Sequence, residues 1–411
     1  MLQARVLAVA VGISAVVGLA ILGLFVVWGG VGFDFRAFYA AAQLLSNDGN
    51  PFDVSSLRAA EEPLFLEYPL GRGTEPYNPY PYPPLFALLL TPLIALGPRG
   101  AYLVFLLGSI AAAAAAGFTL ARAFGRGDAP LVALLVATAQ TAQINYLLGQ
   151  VDTFVLFGLA GGLWLHRTGR PWLAGAFFCL GWLKPHLAFP ITGFILLSAA
   201  FPASPTPPRL LPPSAKLRES LQTGAALIGW SLALAVAQLL TLGPEPLAGW
   251  LGALFLKAGN LATNTIYYSS LGSLYTALPS PLGGVATALA VTAALGYGAW
   301  LVLTSPPEPD AHRQDLRLGA FAAGWLALFP YVHPQDDLLL AFPLVALAGR
   351  DGWGPPSLTS VVAFWLNGTV LFSLSVLPDR LPWHWVGVVP VLMTLLAAHA
   401  ALRRVPERTR G

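Results

Sequence analysis

The chain has 411 residues, 56% of them hydrophobic and 10% charged, with a formal net charge of +3. A soluble domain carries about 25% charged residues, so the composition excludes an ordinary globular protein. Apolar runs near the roughly 20 residues that a bilayer-crossing helix needs recur along nearly the whole chain. This predicts a single all-α polytopic membrane domain over residues 1–411.

The first run, Val6 to Trp28, is too long for a signal-peptide core and lacks a small-residue cleavage site, so it reads as a retained span. Directly after it stands VGFDFRAFYAAA, Val31 to Ala42, with Asp34 a few residues past the span end and Arg36 two residues on. Asp34 suits two roles that do not exclude each other. It can cap the helix RAFYAAAQLL, and a carboxylate half-buried under aromatic cover can serve as a general base, because partial burial lifts its pKa toward the working range. Residues 34–83 form a long first outer loop. Its last part, EPYNPYPYPPLF, alternates tyrosine with proline, so the backbone is held extended. The tyrosines, Tyr82 among them, read either as interfacial anchors or as a rigid face for a sugar or a polyprenyl chain. Residues 84–97 are too short to span and contain a proline, so this stretch reads as a helix at the membrane face or entering part-way.

Gln150 and Asp152 in NYLLGQVDTF sit at a span end, where such residues cap helices or hydrogen-bond sugar hydroxyls. Lys184 in GWLKPHLAFP is either a snorkelling anchor or a lone ammonium placed to hold a phosphate. The segment 202–220 is proline-rich and reads as an inner loop, and a later polar loop carries Asn260 and Asn264. In FPYVHPQDDLLLAFP, Asp336 and Asp337 read as caps of the next helix, and His333 as a donor to phosphate or a proton shuttle. A divalent metal at these three residues lacks a second histidine at ligand spacing. Residues 403–411 form a basic tail.

Lysine and arginine set the expected topology. With the N-terminus inside and a true loop at Lys184, twelve spans result and fifteen of the 22 basic residues fall inside; Arg36, Arg58, Arg72, Arg99, Lys184, Lys257 and Arg380 fall outside. A mid-helix Lys184 inverts the rest of the chain, leaving seven inside, fourteen outside and one lysine in lipid, which the positive-inside rule rejects. Both termini are then cytoplasmic, and the unusual loops share the outer face.

Taken in order, FDFRAFYAAA, NPFDV, YPYPPLFALLLTPL, NYLLGQVD, AGAFFCLGWLKPHLAFP and YVHPQDDLLLAFP make the chain resemble the polyprenyl-phosphate-sugar-dependent glycosyltransferases of the GT-C fold, and within them family 87, which contains bacterial alpha-mannosyltransferases. The resemblance implies a bundle of about twelve transmembrane helices whose long first outer loop carries interfacial helices. It implies Asp34 as the base, Lys184 and His333 on the donor phosphate, Arg36 orienting either that phosphate or the aspartate, and Tyr82, Gln150, Asp152, Asn264 and Asp336 on substrate. The implied partners are a polyprenyl-phosphate-linked sugar, expected to carry mannose, a lipid or glycan acceptor and membrane lipids. No cofactor, metal or nucleic acid is expected. Two departures bear on substrate: Asp152 stands where relatives often have asparagine, and NLATNTIYYSSLG replaces a tighter asparagine-x-serine loop. A lipid-linked-sugar flippase or small-solute transporter is the rival from another class; it fits less well because no internal repeat is present and the polar groups gather at one face. A ligase moving a whole lipid-borne glycan is the rival among enzymes.

Overall fold

The computed structural model describes residues 2–68, 77–200, 215–259, 271, 278–279, 281–304, 311–333, 335–348 and 384–404, and among them every regular element is a helix. Helix α1 (Leu2–Val27) keeps apolar side chains such as Val16, Leu19 and Leu24 exposed, as a helix does when its solvent is lipid. It ends at Gly29, whose φ of 81° turns the chain toward two shorter helices, α2 (Phe33–Ser46) and α3 (Val54–Glu67). Asp53 caps α3, its Oδ2 accepting from the Ser56 amide at 2.8 Å. That cap fixes a register in which Leu57, Glu61, Leu64 and Phe65 share the buried face.

Beyond the proline strap come α4 (Pro84–Leu90), a 3-10 turn at Thr91–Leu96 and the long α5 (Gly97–Ala123). Helices α6 (Ala129–Thr138) and α7 (Gln140–Leu148) follow, bent 51° from one another. Then come α8 (Asp152–Arg167), α9 (Pro171–Phe178) with a 3-10 turn at Cys179–Leu183, α10 (Pro185–Ala200), α11 (Ala215–Leu242) and α12 (Pro244–Gly259). The remainder comprises α13 (Leu282–Leu303), α14 (Ala311–Leu328), a 3-10 turn at Asp336–Leu340, α15 (Ala341–Ala348) and α16 (His384–Arg404).

Small residues let the central helices approach closely. A Cβ at Gly161 of α8 would lie 2.3 Å from the Phe177 ring of α9, so only glycine fits there. The chain reverses at Lys184. Phe177 lies against Gly161, Lys184 meets Asp152 at one end of α8, and Ile195 and Ser198 of α10 share a cavity with His166 and Arg167 at the other. The bundle therefore has two chemically distinct ends. Arg126, Arg167 and Arg317 lie at one, where Arg167 pairs with Asp315 at 2.7 Å and Arg317 donates to the Thr304 carbonyl at 2.7 Å. Asp34, Lys184 and Asp336 lie at the other.

Among the described residues, three helical runs are long and apolar enough to cross a membrane, Pro84–Ala123, Lys216–Leu242 and Leu282–Leu303, or four if the bent pair α6 and α7 counts as one span. The twelve spans expected from the sequence also count stretches outside the described residues. Helices α8 and α10, at 16 residues each, fall short of a full crossing by length alone. Sidedness is open to a direct test. Exposed Glu62, in the first loop, and exposed Lys216, at the arginine-rich end, are each replaced by cysteine in a Cys179→Ala background. An impermeant thiol reagent should label them from opposite sides of the membrane; labelling from one side would overturn the assignment of the two ends to two faces.

Candidate active site

Helix α2 is held against the end of α7 by two glycines. Gly149 takes a left-handed φ of 73° to end α7, and a Cβ there would stand 2.5 Å from Phe35 Cβ; one at Gly32 would stand 2.6 Å from the Leu148 carbonyl oxygen. This approach brings Asp34 beside the start of α8. The N-cap of α2 is Gly32, so Asp34 lies inside the first turn and is not the cap expected for this helix. Its Oδ1 accepts from Asn78 Nδ2 at 2.8 Å.

Lys184 is not a lone ammonium. Its Nζ donates to Asp152 at 2.9 Å and to Asp336 at 2.5 Å, and all three side chains are almost fully buried. Neither aspartate caps a helix: Val151 and Gln335 hold those positions without side-chain bonds. Asp336 Oδ2 accepts instead from the His333 backbone amide at 2.7 Å, which ties His333 to the Lys184 cluster. Two further bonds tie the surrounding elements together. Asn145 Nδ2 donates to the Gln335 carbonyl at 3.0 Å, and Trp325 Nε1 donates to the His186 carbonyl at 3.0 Å.

Tyrosines join the two halves of the site. Tyr82, fully buried, donates to Gln150 Oε1 at 3.0 Å, and Phe38 packs edge-on against its ring at 4.8 Å. Tyr331 stands edge-on to the half-buried His333 at 4.8 Å. Burial pushes both phenols well above the usual tyrosine range. Lys184 pulls each back, and the charges of Asp34 and Asp152 push each further up. Asp34 and the lysine cluster thus act on the same two hydroxyls.

Arg36 is completely buried, its guanidinium 4.3 Å from the Phe65 ring centroid and 5.5 Å from that of Phe33, and its three nitrogens have no hydrogen-bond partner. Burial lowers its pKa to about 10 against the support of Glu61 and Asp34. It belongs with Asp34 and Glu61. Glu61 is also completely buried; its Oε2 accepts from the Asn78 amide at 2.7 Å. Burial raises its pKa from 4.5 to about 8, the Asn78 bond and Arg36 opposing and Asp34 reinforcing, so near neutrality Glu61 holds its proton and Asp34 is the counter-charge of Arg36.

A raised carboxyl pKa implies stability that is complete below pH 4.5 and lost as pH rises through about 8. Glu61→Gln keeps the acceptor oxygen and removes the ionisation. The melting temperature of the variant should therefore gain on that of the wild type between pH 5 and 8, and a gap independent of pH would show that Glu61 does not titrate there.

The structure thus brings Asp34, Tyr82, Gln150, Asp152, Lys184, His333 and Asp336 to one end of the bundle and sets Arg36 beneath Asp34. Asn264 lies outside the described residues. Among the described residues no group of three or more His, Cys, Asp and Glu is placed to hold a metal ion. Glu61, Asn78 and Tyr331 were not singled out from the sequence, although Asn78 stands within the tyrosine-proline stretch. Residues 80–330, more than half of the chain, match the family model described as Glycosyltransferase family 87. No curated protein matches the chain.

Proposed function

The chain belongs to glycosyltransferase family 87, and on that premise we propose that it transfers a sugar, mannose in this reading, from a polyprenyl-phosphate donor to a hydroxyl of a lipid or glycan acceptor at the extracytoplasmic face. The observation that supports the reading is that Asp34 and Lys184, a carboxylate and an ammonium at one end of the bundle, both lie near enough to Tyr82 and Tyr331 to act on their hydroxyls.

Asp34 takes the proton of the acceptor hydroxyl as that oxygen attacks the anomeric carbon. The bond from that carbon to the phosphate oxygen breaks on the opposite face, so configuration inverts and polyprenyl phosphate leaves with the electron pair. An ammonium has three N–H donors. Asp152 and Asp336 take two from Lys184, leaving one for the phosphate, with His333 beside it in the half-buried turn. Tyr82 and Gln150, already bonded to one another, face the sugar, as does Asp152. Of the two roles expected for Arg36, the one adopted in this reading is to stabilise the charge of Asp34, beside which it is buried. An outer-face site supports a lipid-carried donor, because nucleotide sugars are cytoplasmic.

The test is purified protein in lipid, given polyprenyl-phosphate mannose and a membrane lipid extract, with products read by mass spectrometry. A hexosylated lipid formed without nucleotide sugar is expected. Transfer only from a nucleotide sugar, or movement of the donor across the bilayer without transfer, would overturn the reading.

A further inference from the structure

The first-loop helix α3 holds a carboxyl group that neither the fold nor the proposed chemistry requires to be acidic. Glu61 is completely buried while its neighbour Glu62 is exposed. One of its oxygens accepts from the Asn78 amide at 2.7 Å, and the Asn78 side chain donates onward to Asp34 Oδ1 at 2.8 Å. The segment between is stiff. Pro79 biases Asn78 to an extended backbone, Tyr80 donates to the Pro83 carbonyl at 3.0 Å, and Trp250 Nε1 donates to the Pro81 carbonyl at 3.3 Å. Asn78 therefore presents its amide to Asp34 from a fixed backbone, and the anchor of that backbone on α3 is Glu61.

We propose that Glu61 and Asn78 are positioning residues for Asp34: Glu61 fixes the Asn78 backbone, and the Asn78 side chain sets the rotation of the Asp34 carboxylate. The inference rests on Asp34 being the base. An ionised carboxylate only accepts hydrogen bonds, so the bond from Asn78 also favours the charged form of Asp34. The other charges facing Asp34 are Arg36 from its own helix, Glu61 from α3 and, around Tyr82 and Tyr331, Lys184, Asp152, Asp336 and His333.

The test follows the pH midpoint at which a carbodiimide, which attacks the protonated acid, modifies Asp34 in the full-length protein, read by peptide mass spectrometry. Asn78→Ala should raise the midpoint by about one unit, because the charged form loses a donor. Glu61→Ala should raise it too. Glu61 is uncharged below about pH 8, so its removal takes away no negative charge, and a rise in Glu61→Ala reports lost positioning rather than altered electrostatics. Glu61→Gln keeps the acceptor and should leave the midpoint near that of the wild type. In the transfer assay Asn78→Ala should lower kcat about tenfold to a hundredfold with donor KM little changed. An unchanged midpoint in Asn78→Ala, which leaves the buried Glu61 in place, would overturn the inference even if Glu61→Ala failed to fold. Full transfer by Asp34→Asn would overturn the base assignment instead, whatever the midpoints show.

Discussion

Asp34→Asn should leave a folded protein that binds the polyprenyl-phosphate donor and has lost transfer by about a hundred- to ten-thousand-fold, the usual contribution of a general base. The substitution is close to isosteric, and the amide oxygen can accept from Asn78 Nδ2 as the carboxylate does at 2.8 Å. Asp34 is not the cap of α2, so no cap is lost; a negative charge in the first turn of a helix is worth only about 0.3–1 kcal/mol. The buried Arg36 would lose its counter-charge, but Glu61 stands ready to replace it. The charge of Asp34 is one of the influences holding Glu61 protonated, so its removal lets Glu61 ionise beside Arg36. What asparagine cannot do is take a proton. Donor binding is read by displacement of a labelled polyprenyl phosphate, and transfer by mass spectrometry. Near-normal transfer by this variant would move the base to Asp152, His333 or Asp336.

That pair of carboxylates shows where the sequence was legible and where it was not. Asp34 could be found because it breaks an apolar pattern just beyond a span end. Its helix begins two residues earlier than a cap at Asp34 would place it, because Gly32 must pass close to the Leu148 backbone. Glu61 sits in SSLRAAEEPLFLE, where two adjacent glutamates look like a solvated face. The signal was present in the register: a cap at Asp53 puts Leu57, Leu64 and Phe65 on one stripe, and Glu61 falls on that stripe while Glu62 does not. The reversal at Lys184 was one of two readings of WLKPHL, chosen by charge bookkeeping, and the chain does turn there. Its ion pairs were beyond sequence reasoning, since Asp152 and Asp336 lie 32 and 152 residues away and only tertiary packing brings them to one ammonium. The span count rests on basic residues, which mark loops without showing whether the helix between two loops is long enough to cross.

Lys184→Ala should be the most damaging single change in the protein, and for a reason the isolated motif does not suggest. A lone interfacial lysine would be removed at little cost to folding. Here the ammonium ties the start of α8, the turn between α9 and α10, and the 3-10 turn at Asp336–Leu340. Its removal leaves two carboxylates, each fully buried and close enough to share one cation, without the ammonium that opposes their charge. Stranding one member of a buried pair costs about 3–5 kcal/mol, a large part of the 5–15 kcal/mol that holds a typical protein folded. The 331–336 turn would loosen as well, because Asp336 also fixes the His333 amide. The expected result is a low folded yield and a clearly depressed melting temperature in detergent. Adding Asp152→Asn removes one stranded charge and should recover much of that stability, yet transfer should stay absent because the phosphate still lacks its cation. A Lys184→Ala protein as stable as the wild type would mean that the two aspartates shed their charge on losing the lysine. Stability restored together with transfer in the double variant would show that the lysine serves the fold alone and that His333 alone meets the phosphate.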